Sequence, residues 1–389
     1  MRKDVSETVS PETSGRASSR PSRTRLNLAL QGGGAHGAFT WGVLDRLLEE
    51  DRLEINALSG TSAGAMNAAA LLTGLLRGGR EEARVSLEAF WRQVSKSTRF
   101  TPFNLSTARA VLGGLGIDFE ALPLFLGAGM QFLSPYDLNP AGFNPLREII
   151  ESTIDCAAIS RGSIALHVTA THVGTGEARI FSGAEITPDV LLASACLPSL
   201  FHAVEIDGEA YWDGGYTGNP SLMPLVRDAG RADLLLVQTS PVERSGLPQD
   251  ARGIAAREKE ISFNAPLIKE LRLLAELQHQ ALSSAPSSRS GPLSGLAGRG
   301  PRKLDNSPAA SIAGLKIHRI ASPGMNGRSG QSKLNSAWPF LEELRAEGRQ
   351  AAETFLTEHR QDLGQRSSLD LSRWLQCRQE AGRAVARAS

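Results

Sequence analysis

Disulfide-forming cysteine is nearly missing from this chain: three residues, Cys156, Cys196 and Cys377, stand far apart and odd in number. That excludes a disulfide framework and the close pairs of a zinc site, and it suits a reducing compartment. Net charge is missing too. With 42 basic against 41 acidic residues the formal charge is +1, without the basic excess that marks a nucleic-acid binder. No run reaches the ~20 apolar residues needed to span a bilayer. The nearest, Ala121 to Leu133, is broken by Pro123, Gly127 and Gly129. Residues 1–25 mix Ser, Thr, Pro and Arg without an apolar h-region, so they read as a disordered basic tail rather than a secretory signal. No internal repeat is visible. These absences predict a cytoplasmic protein that meets any membrane from its side, and 389 residues suffice for one large core with appendages.

Hydropathy patterning then predicts an α/β fold. Leu26 to Leu30 is a short apolar run that stops at three glycines, as a buried strand entering a tight turn should. Phe39, Val43, Leu44, Leu47 and Leu48 follow at helical spacing, then Ile55 to Leu58 as a second strand and Ala63 to Leu76 as a second helix. Strand, helix, strand, helix in this length is a βαβ unit, so the sheet is expected to be parallel. Further strands are predicted at Ile164 to Ala170, Ala178 to Phe181, Val204 to Ile206, Leu234 to Thr239 and Leu315 to Ile320. The expected division is a tail over 1–25, a catalytic domain over 26–240, a helical segment packed on it over 241–281, a linker or insertion over 282–311, and a final strand with C-terminal helices over 312–389. The linker assignment rests on its Ser, Pro, Gly and Arg content, which offers little apolar surface to offset ordering entropy.

Two glycine-rich turns carry the chemistry. Gly60-Thr61-Ser62-Ala63-Gly64 is a GxSxG sequence between a predicted strand and a predicted helix. A serine there is forced into an exposed, strained conformation near the positive end of the helix, while the glycines let backbone approach. In a glycine-rich chain the pattern alone is weak, and a serine capping a helix would look similar. Gly32-Gly33-Gly34-Ala35-His36-Gly37 also follows a strand and precedes a helix. A dinucleotide fingerprint would need an acid ending the second strand, but that strand runs Ile55-Asn56-Ala57-Leu58 into the serine turn. The better reading is an oxyanion hole built from the amides of Gly33, Gly34 and Ala35 at the sheet edge that Ser62 shares.

A nucleophilic serine needs a base. Seven histidines are present and none sits in a telling context. Asp213 ends an aromatic strand, Tyr211-Trp212, and precedes Gly214 and Gly215, which leave its carboxylate uncrowded; Asp207-Gly208 reads as a turn between strands.

GGGxxG, GxSxG and Asp-Gly-Gly in this order resemble the patatin-like phospholipase family. The similarity extends through Ser194-Ala195-Cys196-Leu197-Pro198 and Gly218-Asn219-Pro220, and covers roughly Leu26 to Thr239. The resemblance implies a three-layer α/β fold with a mainly parallel central sheet, and hydrolysis of lipid carboxylic esters by a Ser-Asp dyad through an acyl-enzyme. It implies Ser62 as nucleophile, Asp213 as general base and Gly32, Gly33 and Gly34 as the oxyanion loop, flanked by Gly37, Gly60, Gly64, Gly214 and Gly215. It implies a lipid or other acyl-ester substrate, peripheral membrane contact, and neither metal nor organic cofactor. One departure stands out: many members carry Arg or Lys where this chain has His36, so anion binding at that position should be weaker or pH-dependent.

Two competing functions share these residues. An α/β-hydrolase esterase would use a Ser-His-acid triad, and His279, His318 and His359 all follow Asp213 in the chain. A non-catalytic lipid-binding protein could keep the fold, but an intact Ser62 with an intact Asp213 argues against it. Of the weaker signals, the apolar stretch Leu122 to Leu133 reads better as core than as a lid. Leu369 to Ala388, with Arg373, Arg378, Arg383 and Arg387, reads better as a solvated docking helix than as an anionic-lipid surface.

Overall fold

The computed structural model describes residues 23–97, 134–227, 232–244, 246–284, 308–322, 324, 328 and 330–374. Strand β1 (Thr24–Leu30) leads through a 3-10 turn (Gly34–His36) into α1 (Gly37–Leu47), followed by β2 (Leu53–Gly60), α2 (Ala63–Gly78) and α3 (Arg80–Ser97). Short helices α4 (Pro135–Leu138), α5 (Pro145–Thr153) and α6 (Cys156–Arg161) precede β3 (Ala165–His172) and β4 (Ala178–Ser182). Helix α7 (Pro188–Ser194), the hairpin β5 (Val204–Ile206) and β6 (Glu209–Asp213), α8 (Met223–Arg227) and β7 (Asp233–Gln238) come next. The chain continues in α9 (Ala251–Ser284), α10 (Pro308–Ala313), β8 (Ile317–Ala321) and α11 (Trp338–His359).

The strands form one sheet in the order β5-β6-β3-β2-β1-β7-β8, with β4 also on β3. Neighbours from β3 to β8 are parallel, while β4, β5 and β6 form the antiparallel margin. The expected mainly parallel α/β sheet is what the chain forms. Its two faces follow the period of two: Leu26, Leu28 and Leu30 enter the larger core with α1, α2, α3, α5, α7 and α11. Ala29 faces the smaller core formed with α8 and α9 through Leu225, Leu267, Leu271 and Leu274. Asn27, on that second face, is buried and donates to the Leu225 carbonyl at 3.0 Å. Helices on both faces make three layers.

Helix α11 locks onto α1 by backbone contact. A Cβ added at Gly42 would lie 2.0 Å from the Arg345 carbonyl oxygen, and one at Gly348 2.0 Å from that of Phe39. Beside this crossing, buried Asp45 accepts from Arg84 Nε at 2.7 Å, from Arg345 at 2.9 Å and from Arg349 at 2.6 Å. At the far margin, His318 Nε2 meets Asp233 Oδ2 at 3.1 Å, and the same oxygen accepts the Gly364 amide at 2.5 Å.

Some boundaries differ from the sequence reading. Strand β1 starts at Thr24, inside the expected tail, because parallel pairing with Leu53 extends it. Helix α9 accommodates Pro266 and runs to Ser284, since no further proline or glycine follows until Pro286, and α10 starts at Pro308. Both ends therefore reach into the stretch read as a linker. The Leu122 to Leu133 segment, and all of the C-terminal stretch beyond Trp374, lie outside the described residues.

Candidate active site

Ser62 occupies the turn between β2 and α2 with φ 54° and ψ −125°. That left-handed backbone is uncommon for a residue with a Cβ and persists only where the surroundings enforce it. They do so closely. A Cβ at Gly64 would stand 2.1 Å from the Leu30 carbonyl oxygen, and one at Gly60 2.7 Å from the Ala65 nitrogen, so both flanks must be glycine. The Ser62 amide donates to Ser194 Oγ at 2.9 Å, and Ser194 in turn donates to the Thr169 carbonyl at 2.7 Å. Thr61 Oγ1 donates to the Gly218 carbonyl at 2.6 Å.

Sheet register brings Asp213 to this turn. Gly60 pairs with Val168 of β3, and Asp213 of β6 pairs with Ala170, two residues along the same strand. The carboxylate is 1% exposed. Its Oδ1 accepts the Gly215 amide at 2.7 Å. Burial pushes the Asp213 carboxyl up to about 7, against the opposing pull of the Gly215 amide, the Ser62 hydroxyl and the more distant Lys333 ammonium. A carboxylate with that affinity for protons is matched to general-base work near neutrality.

The glycine loop lies against the serine turn. A Cβ on Gly32 would meet the Thr61 carbonyl oxygen at 2.7 Å and Ser62 Cβ at 2.9 Å. The Gly32 amide already donates to Asn219 Oδ1 at 2.8 Å. Among the described residues no acceptor takes the amides of Gly33 or Gly34, which leaves those two available to an incoming oxygen. From behind, Gln31 Oε1 accepts the amides of Thr239 and Ser240, each at 2.9 Å, and Thr239 Oγ1 donates to the Gly32 carbonyl at 3.0 Å. Gly37 opens α1 where an added Cβ would meet Ala63 Cβ at 2.7 Å, packing the starts of α1 and α2 together.

Ser62, Asp213 and Gly32 to Gly34 line one cavity of about 310 Å³. Its walls are apolar, chiefly Met66, Phe90, Trp91, Leu197, Phe201 and Phe263. A concave apolar chamber with a few convergent polar groups is the usual form of a small-molecule site.

A sequence model for patatin-like phospholipases matches residues 28–226. The chain belongs to the patatin-like phospholipase family. Its members are lipid hydrolases, and the matched region contains Ser62, Asp213 and both glycine turns. No curated protein matches the chain significantly. Among solved structures, the chain is similar to VipD from Legionella pneumophila at 14% identity, covering 84% of this chain and 67% of that one, with a TM-score of 0.30. It is also similar to ExoU, solved in complex with SpcU of Pseudomonas aeruginosa, at 18% identity, covering 85% and 71%, with a TM-score of 0.22.

Among the described residues that line the cavity there is no histidine. His279 is exposed on α9, His318 is committed to Asp233 and Ser368, and His359 bonds Asp362 at 3.0 Å. His36, the departure from the family pattern, points behind the loop, where Nε2 meets Ser332 Oγ at 2.7 Å. Burial first, then Lys333, Arg328 and Arg244, lowers its pKa to about 4. The ring is therefore neutral at neutral pH, which agrees with the weaker anion binding that was one of the two expectations for this position. Among the described residues no group of His, Cys, Asp and Glu is arranged to hold a metal ion, and no helix is long and apolar enough to cross a membrane.

Sequence reading assigned no role to Ser194 or Asn219, although both lie in the quoted motifs. It passed over Lys333 entirely. That lysine sits in a Ser- and Gly-rich stretch outside the family match, and only the fold brings it to the cavity.

Proposed function

We propose that this chain cleaves carboxylic esters of lipids as a serine acyl hydrolase, with Ser62 as nucleophile and Asp213 as its base. The observation that carries the reading is a strained, cavity-facing serine beside a buried carboxylate whose pKa is pushed up to about 7. Ser62 Oγ attacks the ester carbonyl carbon as its proton passes to Asp213, and the carbonyl oxygen becomes an oxyanion. The Gly33 and Gly34 amides receive it, as preorganised donors whose hydrogen bonds strengthen in the transition state. Collapse breaks the bond to the alcohol, which leaves with the proton from Asp213, and the acyl group stays on Ser62. Asp213 then takes a proton from water, the hydroxide adds to the acyl carbon, and Ser62 departs with that proton as the free acid forms.

The apolar walls suit an acyl chain. Leu200 and Leu334 line the cavity and are 41% and 65% exposed, which suits a rim resting on a lipid surface without spanning it. A histidine-based triad has no candidate among the described residues of the cavity lining.

Labelling with a fluorophosphonate probe tests the reading. Wild type should label. Ser62→Ala should not, and Asp213→Asn should label at least tenfold more slowly. Undiminished labelling of Ser62→Ala would refute the nucleophile assignment.

A further inference from the structure

Among the described residues that line the cavity, Lys333 is the one charged side chain besides Asp213. It arrives on the short 3-10 segment Gly330–Leu334, which caps the glycine loop so closely that a Cβ on Gly34 would lie 2.4 Å from the Lys333 carbonyl oxygen. Its ammonium donates to Ser240 Oγ at 3.0 Å. Among the described residues no carboxylate lies within ion-pair distance of it. The acid that acts on it most strongly, Glu260, is already held by Arg244 at 2.6 Å and Arg257 at 3.2 Å. Burial lowers the Lys333 pKa, while Glu260 raises it, Arg244 lowers it and Asp213 raises it. A cation with three donors and, among the described residues, one neutral hydroxyl partner, set in an apolar wall, is poorly compensated. A bound anion would remove that penalty through charge-assisted hydrogen bonds.

We propose that Lys333 is a specificity-determining residue that receives a phosphate carried by the substrate, so that this enzyme prefers acyl esters bearing a phosphate near the scissile ester over neutral esters of the same chain length. The inference rests on the proposed lipid ester hydrolysis, because the phosphate must share the cavity with the acyl chain. The apolar lining disfavours a small free anion, which would gain the ammonium but no chain contacts. Ser240 orients the amine, leaving its remaining protons for the ligand.

Calorimetric titration with octyl phosphate, octanol and inorganic phosphate tests this without turnover. In wild type octyl phosphate should bind at least tenfold more tightly than octanol, and inorganic phosphate more weakly than octyl phosphate. Lys333→Met should lose roughly tenfold or more for octyl phosphate and nothing for octanol, the scale of one charge-assisted hydrogen bond. Lys333→Arg should restore most of the preference. Ser240→Ala should keep it, whereas a lysine that merely braces the loop through Ser240 would lose its effect there. The same titrations on Ser62→Ala should give the same preference, so an error in the nucleophile leaves this result standing, and an error here leaves the labelling result standing. Turnover of octanoylglycerol phosphate against octanoylglycerol should follow the same ratio in kcat/KM. Equal binding of octyl phosphate and octanol to wild type would overturn the proposal. So would inorganic phosphate binding as tightly as octyl phosphate. An equal loss on both esters in Lys333→Met, with the pH midpoint displaced upward, would make Lys333 a tuner of Asp213 and also overturn it.

Discussion

Asp213 is ionised at a cost set chiefly by burial, since the hydrogen bonds to its carboxylate from the Gly215 amide and the Ser62 hydroxyl do not offset the loss of water. Two outcomes follow from a pKa of about 7. The base must be charged to act, so kcat/KM on a neutral ester should rise through about pH 7 and level off above it, as a pH-rate profile would reveal. A profile flat from pH 5 to 9 would contradict the assignment. The second outcome concerns stability. A carboxyl whose folded pKa lies above its unfolded value binds more protons folded than unfolded, so the fold loses stability as pH rises from about 4 to about 7. Asp213→Asn should therefore raise Tm at pH 8, leave it nearly unchanged at pH 4, and cost about 10²-fold or more in activity. His36→Gln, His279→Ala and His359→Ala should each keep most activity, because none of these rings lines the cavity. His318→Ala should lower Tm by removing one hydrogen-bond partner of buried Asp233 while leaving the folded protein's specific activity intact.

At the scale of elements, the site depends on how the ends of β2, β3 and β6 are tied to one another. Ser194, at the end of α7, bridges the Ser62 amide and the Thr169 carbonyl and so fixes the serine turn to β3. Ser194→Ala should lower kcat by roughly tenfold with KM nearly unchanged, because a misplaced nucleophile weakens the transition state more than binding. A large rise in KM alone would argue against a positioning role. This bridge also marks how far the sequence was legible. The serine turn, the glycine loop and the aspartate turn each carry their chemistry in a few adjacent residues, so Ser62, Gly33 and Asp213 could be named from the chain. The strands of the βαβ start were equally plain, because their apolar runs end at glycine. What joins the turns is not local: Ser194 meets Ser62 across 132 positions, and Asn219 meets Gly32 across 187. No periodicity encodes such pairs. Boundaries failed where a helix continued through polar residues, as α9 does to Ser284.

At the scale of the whole molecule, the part of the chain beyond residue 226 completes the cavity that the family-matched region opens. Lys333, Leu334 and Ser336 line it, and α11 follows directly, anchored to α1 by the Gly42 and Gly348 crossing and by Asp45. Burial works against the charge on Asp45, but hydrogen bonds from Arg84, Arg345 and Arg349 prevail and hold its carboxyl below the usual range. A depressed folded pKa contributes stability that is complete above the unfolded value of about 4 and is lost as pH falls through the folded value. Asp45→Asn removes the charge shared by three arginines, each still partly exposed, so the loss should be about 2 kcal/mol, below that of a fully buried pair. Thermal scans should show Tm lower by roughly 5 °C at pH 7, with the gap to wild type closing as pH falls below the carboxylate range. Because α1 leaves the glycine loop and α11 leaves the Lys333 segment, loosening their junction should blunt the preference for octyl phosphate over octanol before it slows fluorophosphonate labelling of Ser62. Equal loss of both would mean that the α1–α11 junction supports the nucleophile turn as directly as it supports Lys333.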